Sequence, residues 1–168
     1  MERANSTAVR LRNMTSLYII NGERALCLYR VGSRVADRKY IGTAGGHFEC
    51  WELNDPYACV LREAWEELGL REDDILDLRL RYVTHRLKNG EIRQNYYYFG
   101  SLNTSKDLHS IEGTLRWVSF SEFPELDMPV SAKHMILHYI EKGRHDRVIY
   151  AGITQEWGTE FYPLEEFP

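Results

Sequence analysis

Residues 55–70, DPYACVLREAWEELGL, constrain the chain more than any other stretch, because both ends of a helix are written into them. Asp55 can cap the N-terminus, Pro56 fits a first turn that needs no N–H, and Gly69 can take the left-handed conformation past the last turn. At about 100° per residue, Tyr57, Ala58, Leu61, Ala64, Trp65 and Leu68 share one arc, which predicts a core-facing stripe. Glu63, Glu66 and Glu67 fall on the opposite arc. Carboxylates at that spacing repel one another, and Arg62, which can pair with Glu66, does not neutralise three of them. A hard dication among the oxygens would reverse the sign of the interaction, and an all-oxygen set suits Mg²⁺ or Mn²⁺. The plain alternative is a solvated acidic face. Against it stands the upstream sequence: Gly45-Gly46-His47-Phe48-Glu49, then Glu52, brings a glycine turn and two further acids to the mouth of the same helix.

Residues 46–70 resemble the Nudix box, G-x5-E-x7-R-E-U-x-E-E-x-G-U with U aliphatic. Arg62-Glu63-Ala64-Trp65-Glu66-Glu67-Leu68-Gly69-Leu70 carries the second half complete, and Gly46 and Glu52 keep the spacing of the first. Nine residues separate Glu52 from Arg62 where the family has seven, so two extra residues fall near Leu53-Asn54, where a loop absorbs length cheaply. That insertion leaves open whether Glu52 or Glu49 is the functional loop acid. The resemblance extends over about residues 13–142. It implies an α/β fold, an α/β/α sandwich with a mixed central sheet, and hydrolysis of nucleoside diphosphate-linked substrates with Mg²⁺, Mn²⁺ being a substitute. It also implies Glu63, Glu66, Glu67 and the Gly45 carbonyl as metal ligands, with Arg62 orienting the glutamates.

A chain of 168 residues, 43% hydrophobic and 27% charged, suits one domain with a sizeable core. Its net charge of −4 argues against coating a nucleic-acid polymer or a membrane surface, but not against a polyphosphate held through a cation. Cys27, Cys50 and Cys59 are odd in number and unpatterned, which reads as reduced thiols in a cytoplasmic protein. The N-terminus has no apolar segment resembling a signal peptide. His134 and His138 have a zinc-compatible spacing but no third ligand nearby.

Along the chain, residues 1–12 read as an arm, 13–153 as the hydrolase-like domain, and 154–168 as an aromatic extension packing on that domain or on a partner subunit. Strands are expected over 14–20 and 24–31 around Asn21-Gly22, and over 78–87 and 92–102 around Lys88-Asn89-Gly90. Further strands are expected over 114–120 and 147–153, with a second helix over 129–142 and Gly143 as its stop. Asn95 to Phe99, aromatic on both faces, suits a central strand.

Substrate choice must come from outside the box. Glu112 lies in a loop similar to one that carries an additional catalytic glutamate in some family members; it is either the general base or a solvated acid, and Glu63 or Glu66 could take the proton instead. Asp127 occupies a segment similar to that in which MutT-type enzymes read a purine edge. An ionised carboxylate there accepts from guanine and disfavours adenine; otherwise Asp127 caps the second helix. Tyr29, Tyr40 and Tyr82 are candidates for stacking, and Arg30, Arg34 and Lys39 for phosphate contacts. The leading expectation is a MutT-type purine nucleoside triphosphate pyrophosphohydrolase, acting for example on 8-oxo-dGTP. The alternatives are an ADP-ribose or nucleotide-sugar pyrophosphatase and a non-catalytic nucleotide sensor. Dimers are common among similar proteins, and a homodimer is one expectation.

Overall fold

The structure is a computed structural model and describes residues 9–32 and 37–164. Its strands are β1 (Arg10–Asn21), β2 (Arg24–Arg30), β3 (Lys39–Ile41), β4 (Ile75–Lys88), β5 (Glu91–Leu102), β6 (Gly113–Ser119), β7 (Ile149–Thr154) and β8 (Thr159–Leu164). Two helices, α1 (Pro56–Leu68) and α2 (Val130–Glu141), complete the frame. The strands run β3-β2-β1-β5-β4-β7-β8, with β6 along the other edge of β2. β1 pairs with β5 and β4 with β7 in parallel, while the other pairs are antiparallel, so the sheet is mixed as expected.

Alternation along the strands builds the two faces. Leu17, Ile19, Leu26 and Tyr98 meet Val60, Ala64 and Leu68 of α1. Their strand neighbours Tyr18, Tyr97 and Phe99 point the other way, onto Met135, Ile136 and Tyr139 of α2. Successive side chains leave opposite faces of a strand, so each helix receives its own apolar layer and the result is the α/β/α sandwich. Tyr82 lies wholly inside the α2 layer and is core, not a stacking platform.

Two boundaries depart from the sequence reading. Arg10 to Arg12, assigned to the arm, already belong to β1, because the parallel partner β5 offers ladder positions back to Glu91; residues 1–8 lie outside the described residues. The aromatic extension supplies β8, which pairs with β7 through a turn closed by the Gln155 N–H on the Gly158 carbonyl at 2.8 Å. α2 stops before Gly143 as expected, with Lys142 as its cap, but the chain continues from Gly143 into a short 3-10 turn. What requires glycine there is space, since a Cβ would lie 2.1 Å from the Tyr82 hydroxyl.

Candidate active site

The ends of α1 are built as the sequence implies. The Asp55 carboxylate accepts the Ala58 N–H at 2.9 Å, Pro56 opens the first turn, and Gly69 closes the helix at φ 66°. The Gly69 N–H bonds back to the Trp65 carbonyl and the Leu70 N–H to that of Ala64.

The buried face differs from the expected stripe. Cys59, Val60, Glu63, Ala64 and Leu68 are buried, whereas Trp65 is 51% exposed and lies under the Arg71 guanidinium. The helix is therefore rotated by roughly 100° from the anticipated setting, given 3.6 residues per turn. Apolar counting chose the wrong arc because two acids belong on the inner one. Glu63 is turned against Gly46, where an added Cβ would sit 2.4 Å from a carboxylate oxygen. Glu67 accepts the Gly45 N–H at 3.0 Å.

The glycine loop lies along β1. The Leu17 N–H bonds to the Ala44 carbonyl (2.8 Å) and the Thr15 N–H to that of Gly46 (2.9 Å). Among the described residues no backbone N–H is donated to the Gly45 carbonyl between them. Gly45 has φ 148° and approaches β1 so closely that a Cβ would meet the Thr15 carbonyl oxygen at 2.2 Å.

Arg62 holds loop and helix together. Its Nε and one terminal nitrogen grip the two oxygens of Glu52 at 2.7 and 2.9 Å, and the same terminal nitrogen reaches the His47 carbonyl at 3.0 Å. The other terminal nitrogen lies 2.9 Å from both Glu63 and Glu66. Glu52 is fully buried, and it also accepts the Glu49 N–H at 2.8 Å. With both oxygens occupied inside the protein, Glu52 is the anchor of the arginine, whereas Glu49 is exposed along the cleft. The two extra residues, Leu53 and Asn54, form an exposed turn between that anchor and the Asp55 cap.

The carboxylates differ in environment. Hydrogen bonds from Arg62 hold Glu52 below the ordinary carboxyl range. Burial raises Glu63 despite Arg62. Burial, with the charges of Glu112 and Glu63 beside it, pushes Glu67 up to about 7. Crowding of carboxylates beyond what one guanidinium neutralises, in a partly dry site, is the electrostatic state that a cation relieves. Among the described residues no three His, Cys, Asp or Glu side chains converge, as arranged, on a single ion position. Arg62 accounts for that by drawing Glu63 and Glu66 to itself. The donor set nevertheless fits a hard divalent ion: Glu63 and Glu67 flank the glycines beside the Gly45 carbonyl, and Glu66, one helical turn from Glu63, stands next to them in an ion pair with Arg62.

These groups open into a cleft of about 580 Å³, also lined by Arg30 and Glu112, whose side chains pair at 2.7 Å. Glu112 thus belongs to the same cleft as the helix acids. Asp127 does not line it: its side chain is 69% exposed and pairs with Lys39. Nor does Asp127 cap α2, whose N-cap is Pro129 with no side-chain bond. Lys39, so paired, is likewise absent from the cleft wall, and Arg34 lies outside the described residues. Tyr29 and Tyr40 pack on each other at 4.9 Å. His138 bonds to the Tyr82 hydroxyl (2.8 Å) and His134 to that of Thr159 (3.1 Å), so the pair serves the α2 face.

Sequence reasoning missed Arg12, Arg86, Arg93 and Asn95, all of which line the cleft. Arg86 and Arg93 face each other across the β4–β5 hairpin, whereas Arg12 comes from β1, some eighty residues earlier, and only the parallel register brings it to them. The available signal was the alternation Arg93, Asn95, Tyr97 along one face of β5.

The family model for the NUDIX domain matches residues 10–139. None of the curated proteins matches the sequence significantly. Among solved structures, a MutT protein from Methanosarcina mazei Go1 is 18% identical with a TM-score of 0.67, covering 84% of this chain and 100% of that one. A MutT protein from Bacillus halodurans is also 18% identical, with a TM-score of 0.64 and coverages of 92% and 95%. An Ap4A hydrolase from C. elegans is 14% identical with a TM-score of 0.60, covering 78% and 95%. These likenesses establish a shared fold. No helix among the described residues is long and apolar enough to cross a membrane.

Proposed function

The chain belongs to the NUDIX family of hydrolases, and from that premise we propose that it cleaves the diphosphate bridge of a nucleoside diphosphate-linked compound with the help of Mg²⁺. The observation that carries the reading is the pair of acids, buried Glu63 and half-buried Glu67, held against a glycine loop with the Gly45 carbonyl between two engaged neighbours. Members of the family generally use divalent metals such as Mg²⁺. Glu63, Glu66, Glu67 and the Gly45 carbonyl would hold the ion, with Mn²⁺ a substitute. Bound there, it would neutralise phosphate oxygens and acidify a coordinated water.

The remaining work falls to this chain's own groups. Arg62, fixed by Glu52, orients Glu63 and Glu66 and keeps their charge tolerable without substrate. Arg30 contacts a phosphate oxygen at the cleft wall, and its partner Glu112 takes the proton from the attacking water. With Asp127 outside the cleft, no residue argues for oxidised guanine in particular, so MutT-type release of pyrophosphate from a purine triphosphate stands beside cleavage of ADP-ribose or a nucleotide sugar.

The test is a hydrolysis panel with Mg²⁺ and Mn²⁺ and chromatographic identification of products. Pyrophosphate among the products selects the first chemistry; a sugar phosphate or ribose phosphate selects the second. Glu66→Gln should fold and lose most turnover. A panel left uncut while one member binds tightly would replace the enzyme with a nucleotide sensor.

A further inference from the structure

The end of the cleft away from the acids has its own chemistry. Arg12 on β1 stands opposite Arg93 on β5, and Arg93 stands opposite Arg86 on β4. Side chains at one register across neighbouring strands leave the same face, and all three line the cleft. Like charges placed directly opposite each other are destabilising, so a row of three guanidinium groups needs a reason. One acid answers it in part: Glu91 lies 2.9 Å from Arg93 and 3.8 Å from Arg12. Arg12 also donates to the ring of His47, which adds no negative charge. Arg86 makes no ion pair among the described residues.

Two independent features point to a ligand at this end. Asn95, two residues along β5 from Arg93, lines the cleft, and among the described residues its buried Oδ1 has no hydrogen-bond partner. In addition, the first turn of α2 enters the wall at Pro129, Ser131 and Ala132, with no side chain capping its N–H groups. The glycine loop meets β1 at Thr15, three residues from Arg12, which puts the two ends roughly 10 Å apart at about 3.3 Å per residue. A nucleoside spans that interval.

The geometry points to a second anion subsite, in which Arg12, Arg86 and Arg93 hold a phosphate monoester on the part of the substrate remote from the diphosphate. Three guanidinium charges against the single Glu91 carboxylate leave a surplus of two, which suits the charge of about −1.5 to −2 on a phosphate ester. A neutral base or sugar would leave that surplus unanswered. The inference rests on the proposed function for the acidic end and narrows its substrate class to diphosphate-bridged nucleotides carrying one further phosphate.

The test uses the full chain and two pairs of compounds that differ by one phosphate ester: NADPH against NADH, and coenzyme A against 3′-dephospho-coenzyme A. Hydrolysis with Mg²⁺ gives a ratio of kcat/KM within each pair, and calorimetry on Glu66→Gln gives the ratio of affinities without turnover. The phosphorylated member of at least one pair should be favoured by about tenfold or more, as expected for charge-assisted hydrogen bonds. Arg86→Gln should bring that ratio to within about twofold, and Arg93→Gln should act in the same direction, with thermal melts confirming that both variants fold. Ratios near one in both pairs, or a ratio unmoved by either variant, would overturn the subsite while leaving a hydrolase. A ratio that persists in binding with nothing cut would keep the subsite and remove the hydrolase reading. Absence of both binding and turnover for all four compounds would overturn the subsite.

Discussion

Glu52→Gln tests whether the Arg62 clamp is the structural support of the acidic end. The wild-type carboxylate is fully buried and accepts from Arg62 at 2.7 and 2.9 Å and from the Glu49 N–H at 2.8 Å. Glutamine keeps the volume and one oxygen, but its amide NH₂ must face a donor, either Arg62 or the Glu49 backbone. Removing one member of a buried pair costs about 3–5 kcal/mol when the other is left stranded. Arg62 is not stranded, because its side chain is 18% exposed and already touches Glu63 and Glu66. The expected loss is therefore about 2–3 kcal/mol at pH 7, below the full cost of a stranded partner. At about 2–4 °C per kcal/mol for a domain of this size, the midpoint should fall by roughly 4–12 °C. The sign with pH follows from the depressed carboxyl. Its stabilisation is complete above the unfolded value of about 4.3 and is lost as pH falls through the lower folded value. The gap between wild type and variant should thus be flat from neutral pH to about pH 5 and close in stronger acid. Urea titrations of both proteins over that range measure it. A loss under about 0.5 kcal/mol at pH 7, or a gap that does not narrow in acid, would refute the clamp.

Four further outcomes follow from the same geometry. Glu67 sits at about 7, so Mg²⁺ must displace a proton, and affinity measured by calorimetry should weaken about fivefold between pH 7 and pH 6. Because a raised carboxyl costs stability above its ordinary range, Glu67→Gln should make the metal-free protein more stable by about 1–2 kcal/mol at pH 8 while abolishing turnover; equal melting points would contradict the crowding. Gly46→Ala should retain the fold yet weaken Mg²⁺ binding at least about tenfold, because the methyl group displaces the Glu63 carboxylate, whereas unchanged affinity would show that the contact is dispensable. Asp127→Ala should leave the ranking of a nucleotide panel unchanged, and a shifted base preference would return Asp127 to the site.

The sequence was most legible where one local rule decided the matter. Caps at Asp55 and Gly69, hairpin turns at Asn21-Gly22 and Asn89-Gly90, and the two-faced aromatic run of β5 each depend on a few adjacent residues. The setting of α1 was misread because apolar periodicity assumes that acids face solvent. Here Glu63 and Glu67 face inward, and Trp65 is left outside. Glu52 and Glu49 could not be ranked from spacing, because the choice depends on which one Arg62 reaches. Arg12 was placed in the arm because residues 1–12 read as a polar stretch, and a parallel ladder to a strand some eighty residues away is not visible in local pattern. Asp127 failed for the converse reason, since a loop position inferred by likeness lay beside Lys39 and not at the cleft.

The two ends of the cleft pose one electrostatic problem in opposite signs. At the glycine loop, oxygens are crowded beyond what Arg62 neutralises; at the strand row, guanidinium groups are crowded beyond what Glu91 neutralises. Each arrangement costs stability in the empty protein, and each cost is local, because the two ends are separated by about a Debye length at physiological salt. They therefore relieve one another only in part across the cleft. A cation answers only the first and an anion only the second, so a metal-bound diphosphate carrying a distant phosphate relieves both. A substrate lacking that phosphate leaves half of the strain in place, and the site would then discriminate mainly through binding energy, with the difference appearing in kcat/KM. Raising salt should erode the preference for the doubly anionic compound while sparing the carboxylate–metal contacts, which are direct ligation. A preference that stayed constant from low to high salt would mean that contacts other than the arginine row set the choice of substrate.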